Sequence, residues 1–230
     1  MNDEFDFNID IDIEEEFFDV DLSIEDDLIE NRYIKPKLYK KPESVKYYNA
    51  VKFVDEMKDK IRNGDRLFCL AAGGFIFGDL IEALAVQANM LIEEMTISTL
   101  SLSKNNVDSL ENLIVGDYLR KLNLIISDYF FSHNRQNIQY VYDKLDINNS
   151  FQLAVASVHT KIILIKTKNK KIVISGSANL RSSDSIECFE IETNEELYDF
   201  HYDWHKKIID TYKTINKSIR GKKLWQVVAD

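Results

Sequence analysis

The sequence is poor in the residues that interrupt or staple a chain. Its 230 residues include only seven glycines, two prolines and two cysteines, so most of it is expected in regular elements. Both prolines, Pro36 and Pro42, fall in one basic stretch, YIKPKLYKKPE, which marks a linker. Cys69 and Cys188 sit in separate apolar runs. They read as buried reduced thiols rather than a disulfide framework, and a cytoplasmic setting follows. No apolar run approaches the roughly 20 residues that span a bilayer. The N-terminus lacks the basic start and apolar stretch of a signal peptide, and no membrane partner is expected. Lys and Arg are absent from residues 1–30, which carry 14 of the 39 Asp and Glu. The remainder therefore holds 29 Lys and Arg against 25 Asp and Glu. The net charge of −10 hides a mildly basic body, so nucleic-acid partners are not excluded.

Residues 1–43 are read as an acidic tail followed by a basic linker, flexible as a whole, and 44–230 as one domain. A like-charged run repels itself and tends to stay unfolded. Yet Phe5, Phe7, Ile9, Ile11 and Ile13 alternate with polar residues, which also suits a strand against a partner's edge. The tail is thus a solubiliser, a docking segment for a protein partner, or an acidic mimic of nucleic acid that masks a basic cleft.

The body has strong periodicity. A helix is predicted from Ser44 to the cap signal Asn63-Gly64, and a buried strand from Asp65 to Gly74. Asp79 is placed as the cap of a helix running to Glu94. MTISTLSL is predicted as a strand, VDSLENLIVGDYLRKL as a helix, LNLIISDYFF as a strand and RQNIQYVYDKL as a short helix. FQLAVAS, KIILIK, KIVIS and ECFEIET read as four strands before a final long helix starting at Asn194. Strands alternating with helices predict an α/β fold with a mixed, largely parallel sheet and helices on both faces. The close succession of the last strands adds an antiparallel hairpin.

The chemistry-bearing stretch is VHTKIILIKTKNKKIVISGSANLRSSDSIE. In an extended segment residues i and i+2 share a side, so His159 and Lys161 project together. Imidazole serves as a nucleophile or proton carrier near neutral pH, and an ammonium beside it binds an anion. The returning strand delivers Gly176-Ser177-Ala178-Asn179 to the same level. Gly176 permits close approach, and Ser177 and Asn179 offer donors. Glu187 is a carboxylate able to orient the imidazole. A phosphate held by Lys161, Ser177 and Asn179 would face His159. The plainer alternative is a lysine-rich, solvated hairpin with an incidental histidine.

His159-Thr160-Lys161 with Gly176-Ser177-Ala178-Asn179 and the downstream Glu187 resembles the HKD signature of the phospholipase D superfamily, HxKx4Dx6G[GS]xN. Lys166 stands where that pattern has Asp, and the interval to Gly176 is longer, with the extra residues in the turn from Thr167 to Lys171. The resemblance implies a phospholipase D-like fold and, with one motif per chain, a homodimer whose two His159 residues share a site. It implies a metal-independent phosphodiesterase that needs no cofactor. One His159 forms a phosphohistidine while the other protonates the leaving oxygen. Lys161 and Asn179 stabilise the transition state, and Glu187 completes the catalytic set.

The short, mildly basic body favours a nuclease, with DNA preferred to RNA as substrate. Gly176 and Ser177 are expected to line the substrate site, and Lys166 and Lys168 to contact backbone phosphates. Two alternatives remain: a catalytically degenerate module that binds nucleic acid or protein, and a phosphodiesterase acting on lipid or another small phosphodiester. His201 and His205 at HxxxH spacing lack the Glu of a zinc helix and read as helix-face histidines. Gly73-Gly74 reads as a tight turn, and His133 as a loop histidine.

Overall fold

The structure is a computed structural model, and it describes residues 45–58, 61, 64–71, 75–181 and 185–213. The acidic tail, the linker and Gly73-Gly74 lie outside the described residues. Helix α1 (Val45–Met57) leads to β1 (Arg66–Ala71), α2 (Phe77–Gln87), β2 (Ile92–Thr99) and α3 (Lys104–Val115). Then follow β3 (Leu122–Ser127), the short α4 (Asp128–His133), α5 (Arg135–Leu145) and β4 (Phe151–Ala156). The chain closes with β5 (Ile162–Thr167), β6 (Lys171–Gly176), β7 (Glu187–Thr193) and α6 (Glu195–Tyr212).

The seven strands form one sheet in the order β1-β7-β6-β5-β2-β3-β4. The α/β class and the mixed sheet are as expected, but the sheet is not largely parallel. Only β2–β3 and β3–β4 pair in parallel, whereas β1–β7, β7–β6, β6–β5 and β5–β2 are antiparallel. Part of the cause is local: β5, β6 and β7 follow one another without an intervening helix, and short connections favour reversal. The other two antiparallel pairs, β5–β2 and β1–β7, join strands remote in sequence and depend on where those strands sit in the sheet.

The alternation of side chains along each strand builds two layers. On one face Met95, Ile97, Leu122, Leu124, Ile126, Leu153, Ile163, Ile165, Ile172, Ile174, Phe189 and Ile191 pack under α1, α2, α3 and α5. Phe189 anchors this layer, its ring 6.2 Å from Phe53 of α1 and 5.2 Å from Phe77 of α2, both edge-on. The other face is thinner. α6 lies across it, burying Tyr198 against Ile162, Leu164 and Val173, and setting Ile208 and Ile209 on Ile125, Ala154 and Val158. No helix among the described residues is long and apolar enough to cross a membrane.

Three local readings change. Asp79 is not a cap: Ile76 precedes the helix, and the buried Asp79 accepts a 2.7 Å hydrogen bond from the Ser109 hydroxyl of α3. β2 begins at Ile92, inside the stretch predicted as helix, and Glu94 is held in the sheet by Lys121 (2.5 Å), just before β3, and by Asn123 (2.8 Å) on it. The third predicted strand stops at Ser127, whose hydroxyl accepts from the Phe130 N–H at 2.9 Å and starts α4. That is the N-cap bond that Ser favours.

Two packing features yield measurable expectations. A Cβ at Gly176 would lie 2.2 Å from the Cys188 carbonyl oxygen and 2.6 Å from Phe189 Cα. Backbone cannot retreat as a side chain tip can, so Gly176→Ala is expected to lower stability by about 1–3 kcal/mol or more. An unchanged denaturation midpoint would contradict this approach of β6 to β7. His205 of α6 is fully buried; its Nδ1 bonds the His201 carbonyl at 2.7 Å, and its Nε2 has no partner among the described residues. Burial pushes its pKa down to about 4. The unfolded chain therefore takes up this proton first, and stability falls as pH drops from about 6.5 to 4, by about 3 kcal/mol in all. His205→Leu should flatten that part of the stability profile relative to wild type, measured by urea unfolding at several pH values. Identical slopes would refute the assignment.

Candidate active site

Strand direction gathers the motif. β1, β2, β3, β4 and β6 run one way, and β5 and β7 run the other. The C-terminal ends of five strands and the N-terminal ends of two therefore share one edge of the sheet. His159 and Lys161 lie in the loop entering β5, Ser177 and Asn179 in the loop leaving β6, and Glu187 at the start of β7.

The loop from β4 to β5 is held on both sides of His159. Val158 is buried against Ile125 and Ala154. The Thr160 hydroxyl donates to Ser98 Oγ of β2 at 2.8 Å. His159 itself is exposed, and its imidazole makes no hydrogen bond among the described residues. Lys161 folds back, its ammonium donating to the His159 carbonyl oxygen at 2.8 Å. Imidazole and ammonium thus belong to one exposed segment on fixed backbone.

The loop after β6 is fastened from two directions. Gly176 N–H donates to the Lys161 carbonyl at 3.3 Å, joining this loop to the previous one. Ser177 N–H donates to the Cys188 carbonyl at 2.9 Å, and the Ser177 hydroxyl accepts from Cys188 N–H at 3.1 Å. That hydroxyl also donates to the Glu187 carboxylate. Farther on, Leu180 N–H donates to Thr99 Oγ1 at 3.1 Å, and Ser103 N–H to the Leu180 carbonyl at 2.8 Å. Between these anchors, Asn179 Oδ1 accepts from Leu100 N–H at 3.3 Å. With its oxygen engaged by β2, the carboxamide offers its NH2 group as a donor.

The structure thus brings Lys161 to the His159 backbone, Glu187 to Ser177 and Asn179 to the end of β2. It does not bring Glu187 to the His159 ring, because the carboxylate is taken by Ser177. The close approach of Gly176 is toward β7 rather than toward open space. Lys166 and Lys168 are far from the rest. Lys166 pairs with Lys171 at the hairpin end of β5, four residues beyond Ile162, or about 13 Å along the strand. Lys168 is in the turn beyond it. Three contributors went unnoticed in the sequence: Ser98, Thr99 and the Leu100 amide. Their only signal was the run of small hydroxyl residues, TISTLS, ending an apolar strand.

The remaining candidates have structural partners. His201 Nδ1 accepts from Trp204 Nε1 at 3.1 Å, and the His205 ring stacks on Trp204 at 3.7 Å. His133 is an exposed helix residue bonded through Nδ1 to the Tyr129 carbonyl at 2.8 Å. Among the described residues no three His, Cys, Asp or Glu side chains come together to hold a metal ion.

No protein-family model and no curated protein matches the sequence. Solved structures similar to this one include polyphosphate kinase from Porphyromonas gingivalis, at 12% identity and a TM-score of 0.48; the match covers 64% of this chain and only 26% of that one. Nuc from Salmonella typhimurium, a phospholipase D family member, is similar at 13% identity and a TM-score of 0.45, over 65% of this chain and 97% of that one. NucT from Helicobacter pylori is similar at 16% identity and a TM-score of 0.44, over 65% of this chain and 99% of that one.

Proposed function

We propose that this chain is a metal-independent phosphodiesterase, a nuclease acting on DNA through a phosphohistidine in a site shared by two copies. The observation that supports it most is the exposed His159 imidazole on a pinned loop, at the sheet edge that also carries Lys161, Ser177 and Asn179. An imidazole without a partner keeps its lone pair for attack on phosphorus. Attack forms the P–N bond and expels the leaving oxygen, which takes its proton from the second copy's His159. That same histidine then removes a proton from water, which breaks the P–N bond and releases the phosphate product. The Lys161 ammonium and the Asn179 NH2 group bind the non-bridging oxygens as charge accumulates on them. Glu187 acts by holding Ser177, and through it the end of β6.

The substitution at Lys166 bears on activity less than the pattern alone implies. That position lies at the opposite end of β5, so neither Asp nor Lys there touches a phosphate bound at His159. A second reading, a degenerate binding module, is favoured by the engagement of Glu187 with Ser177, which leaves no carboxylate on the His159 ring.

The deciding measurement is nicking of plasmid and single-stranded DNA in EDTA, with molecular mass in solution. A mass of two chains is expected, with EDTA-resistant cleavage that falls at least about a thousandfold in His159→Ala. Asn179→Ala should lower kcat by about a hundredfold or more while leaving KM nearly unchanged. DNA binding without turnover would support the degenerate module instead. Headgroup release from vesicles with no effect on DNA would move the activity to lipid.

A further inference from the structure

The short helix α4 stands at the site edge of the sheet. It rises from the end of β3, between the end of β2, where Leu100 N–H is taken by Asn179, and β4, whose continuation carries His159. Ser127, the cap of α4, donates through Oγ to the Leu100 carbonyl at 2.8 Å. Leu100 thus holds Asn179 by its N–H and α4 by its carbonyl. Along these bonds Tyr129 Cα lies about 18 Å at most from the Asn179 carboxamide. On the other side Ser127 pairs with Ala156, three residues before His159. The loop that carries His159 passes the end of β3, with Val158 on Ile125 and Thr160 bonded to Ser98 of β2.

Tyr129 is a large ring left 48% exposed at this edge, and it is held in place. Phe130 beside it is buried in the core and anchors the helix. The Tyr129 carbonyl accepts from the Ser132 hydroxyl at 2.9 Å and from His133 Nδ1 at 2.8 Å. A carbonyl only accepts, so Nδ1 carries the imidazole proton. That bond sets the His133 ring against the Tyr129 ring, with centroids 4.2 Å and planes 32° apart. A ring ordered before binding has little freedom to lose on contact. α4 carries no Lys or Arg, and its Asp128 accepts from the Tyr129 N–H at 2.9 Å. This surface therefore does not draw a phosphate. It suits a planar group with a π-face.

We propose that the Tyr129 ring, backed by His133, stacks an unpaired base of the strand whose phosphate sits at His159, and that the substrate is single-stranded DNA rather than duplex. This rests on the phosphodiesterase reading of His159 and names its substrate. An unpaired base has a free face to lay on the ring, whereas in a duplex its neighbours already cover both faces. Stacking tolerates any sequence because every base has a π-face, so cleavage follows single-strandedness rather than base identity. Lys161 and Asn179 hold the backbone, and the ring holds a base a short way along the same strand.

The test is binding of a single-stranded DNA oligonucleotide carrying 2-aminopurine, whose fluorescence falls when the base stacks. It is made in the full chain with His159→Asn, which removes the nucleophile and keeps the strand intact. Adding Tyr129→Ala should weaken binding at least about tenfold and abolish the quenching, whereas Tyr129→Phe keeps both. The same strand made abasic throughout should bind equally with and without Tyr129→Ala, and the matching duplex should bind more weakly and ignore that substitution. Equal affinity for the single strand with and without the ring, or no binding of the single strand, would overturn the proposal. So would an equal loss on the abasic strand, because the substitution would then be disturbing the loop rather than removing a stack. Failure of the nuclease reading looks different: the unsubstituted chain would leave DNA intact in EDTA while the Tyr129-dependent quenching persisted.

Discussion

Gly176 is where the candidate site is held together. Its N–H reaches the carbonyl of Lys161, and a Cβ at this position would collide with the backbone of Cys188 and Phe189. Three strands meet through this one residue. β5 carries the His159–Lys161 loop on its N-terminal side, β6 leads into Ser177 and Asn179, and β7 starts at Glu187. A larger residue would push β7 outward and take Glu187 away from Ser177. The lack of a side chain is required by packing between strands, and the geometry of the candidate site follows from it.

The same economy recurs around the site. Its supports are main-chain amides and small hydroxyls: Thr160 on Ser98, Leu180 on Thr99, Asn179 on Leu100. Each such bond contributes only about 1 kcal/mol net, but short side chains have little rotamer freedom to lose. The long side chains, His159 and Lys161, are left at the surface. Rigid backbone with exposed functional groups is the division of labour a reacting site needs.

What could be read from the sequence follows from how local the determining interactions are. The apolar runs that become β3 to β7 are continuous or alternating over five to seven residues, and strand placement there needs nothing else. The pairing of His159 with Lys161, and of Gly176 with Asn179, is equally local. Sheet direction is not, because it depends on which strand β5 lies beside. With β5 against β2 and β1 against β7, the sheet expected to be mixed and largely parallel has four antiparallel pairings. The same fact moves Lys166 and Lys168 to the remote end. Their charge suggested a phosphate contact, yet a strand that begins at the site carries its later residues away from it. Ser127 and Asp79 mark the limit at smaller scale. Either can cap a helix, and only the neighbouring turn or the partner helix decides which one does.

Net charge is a poor guide to what a bound anion would meet at the candidate site. Residues 1–30 hold 14 of the 39 Asp and Glu and no Lys or Arg, so the rest of the chain carries 29 Lys and Arg against 25 Asp and Glu. Charges farther off than a Debye length are largely screened, so the groups close to His159 decide the local field. Those are the Lys161 ammonium, held on the His159 carbonyl, and the Glu187 carboxylate, which is engaged by Ser177. The acidic average of the sequence therefore says little about the affinity of this edge of the sheet for a phosphate.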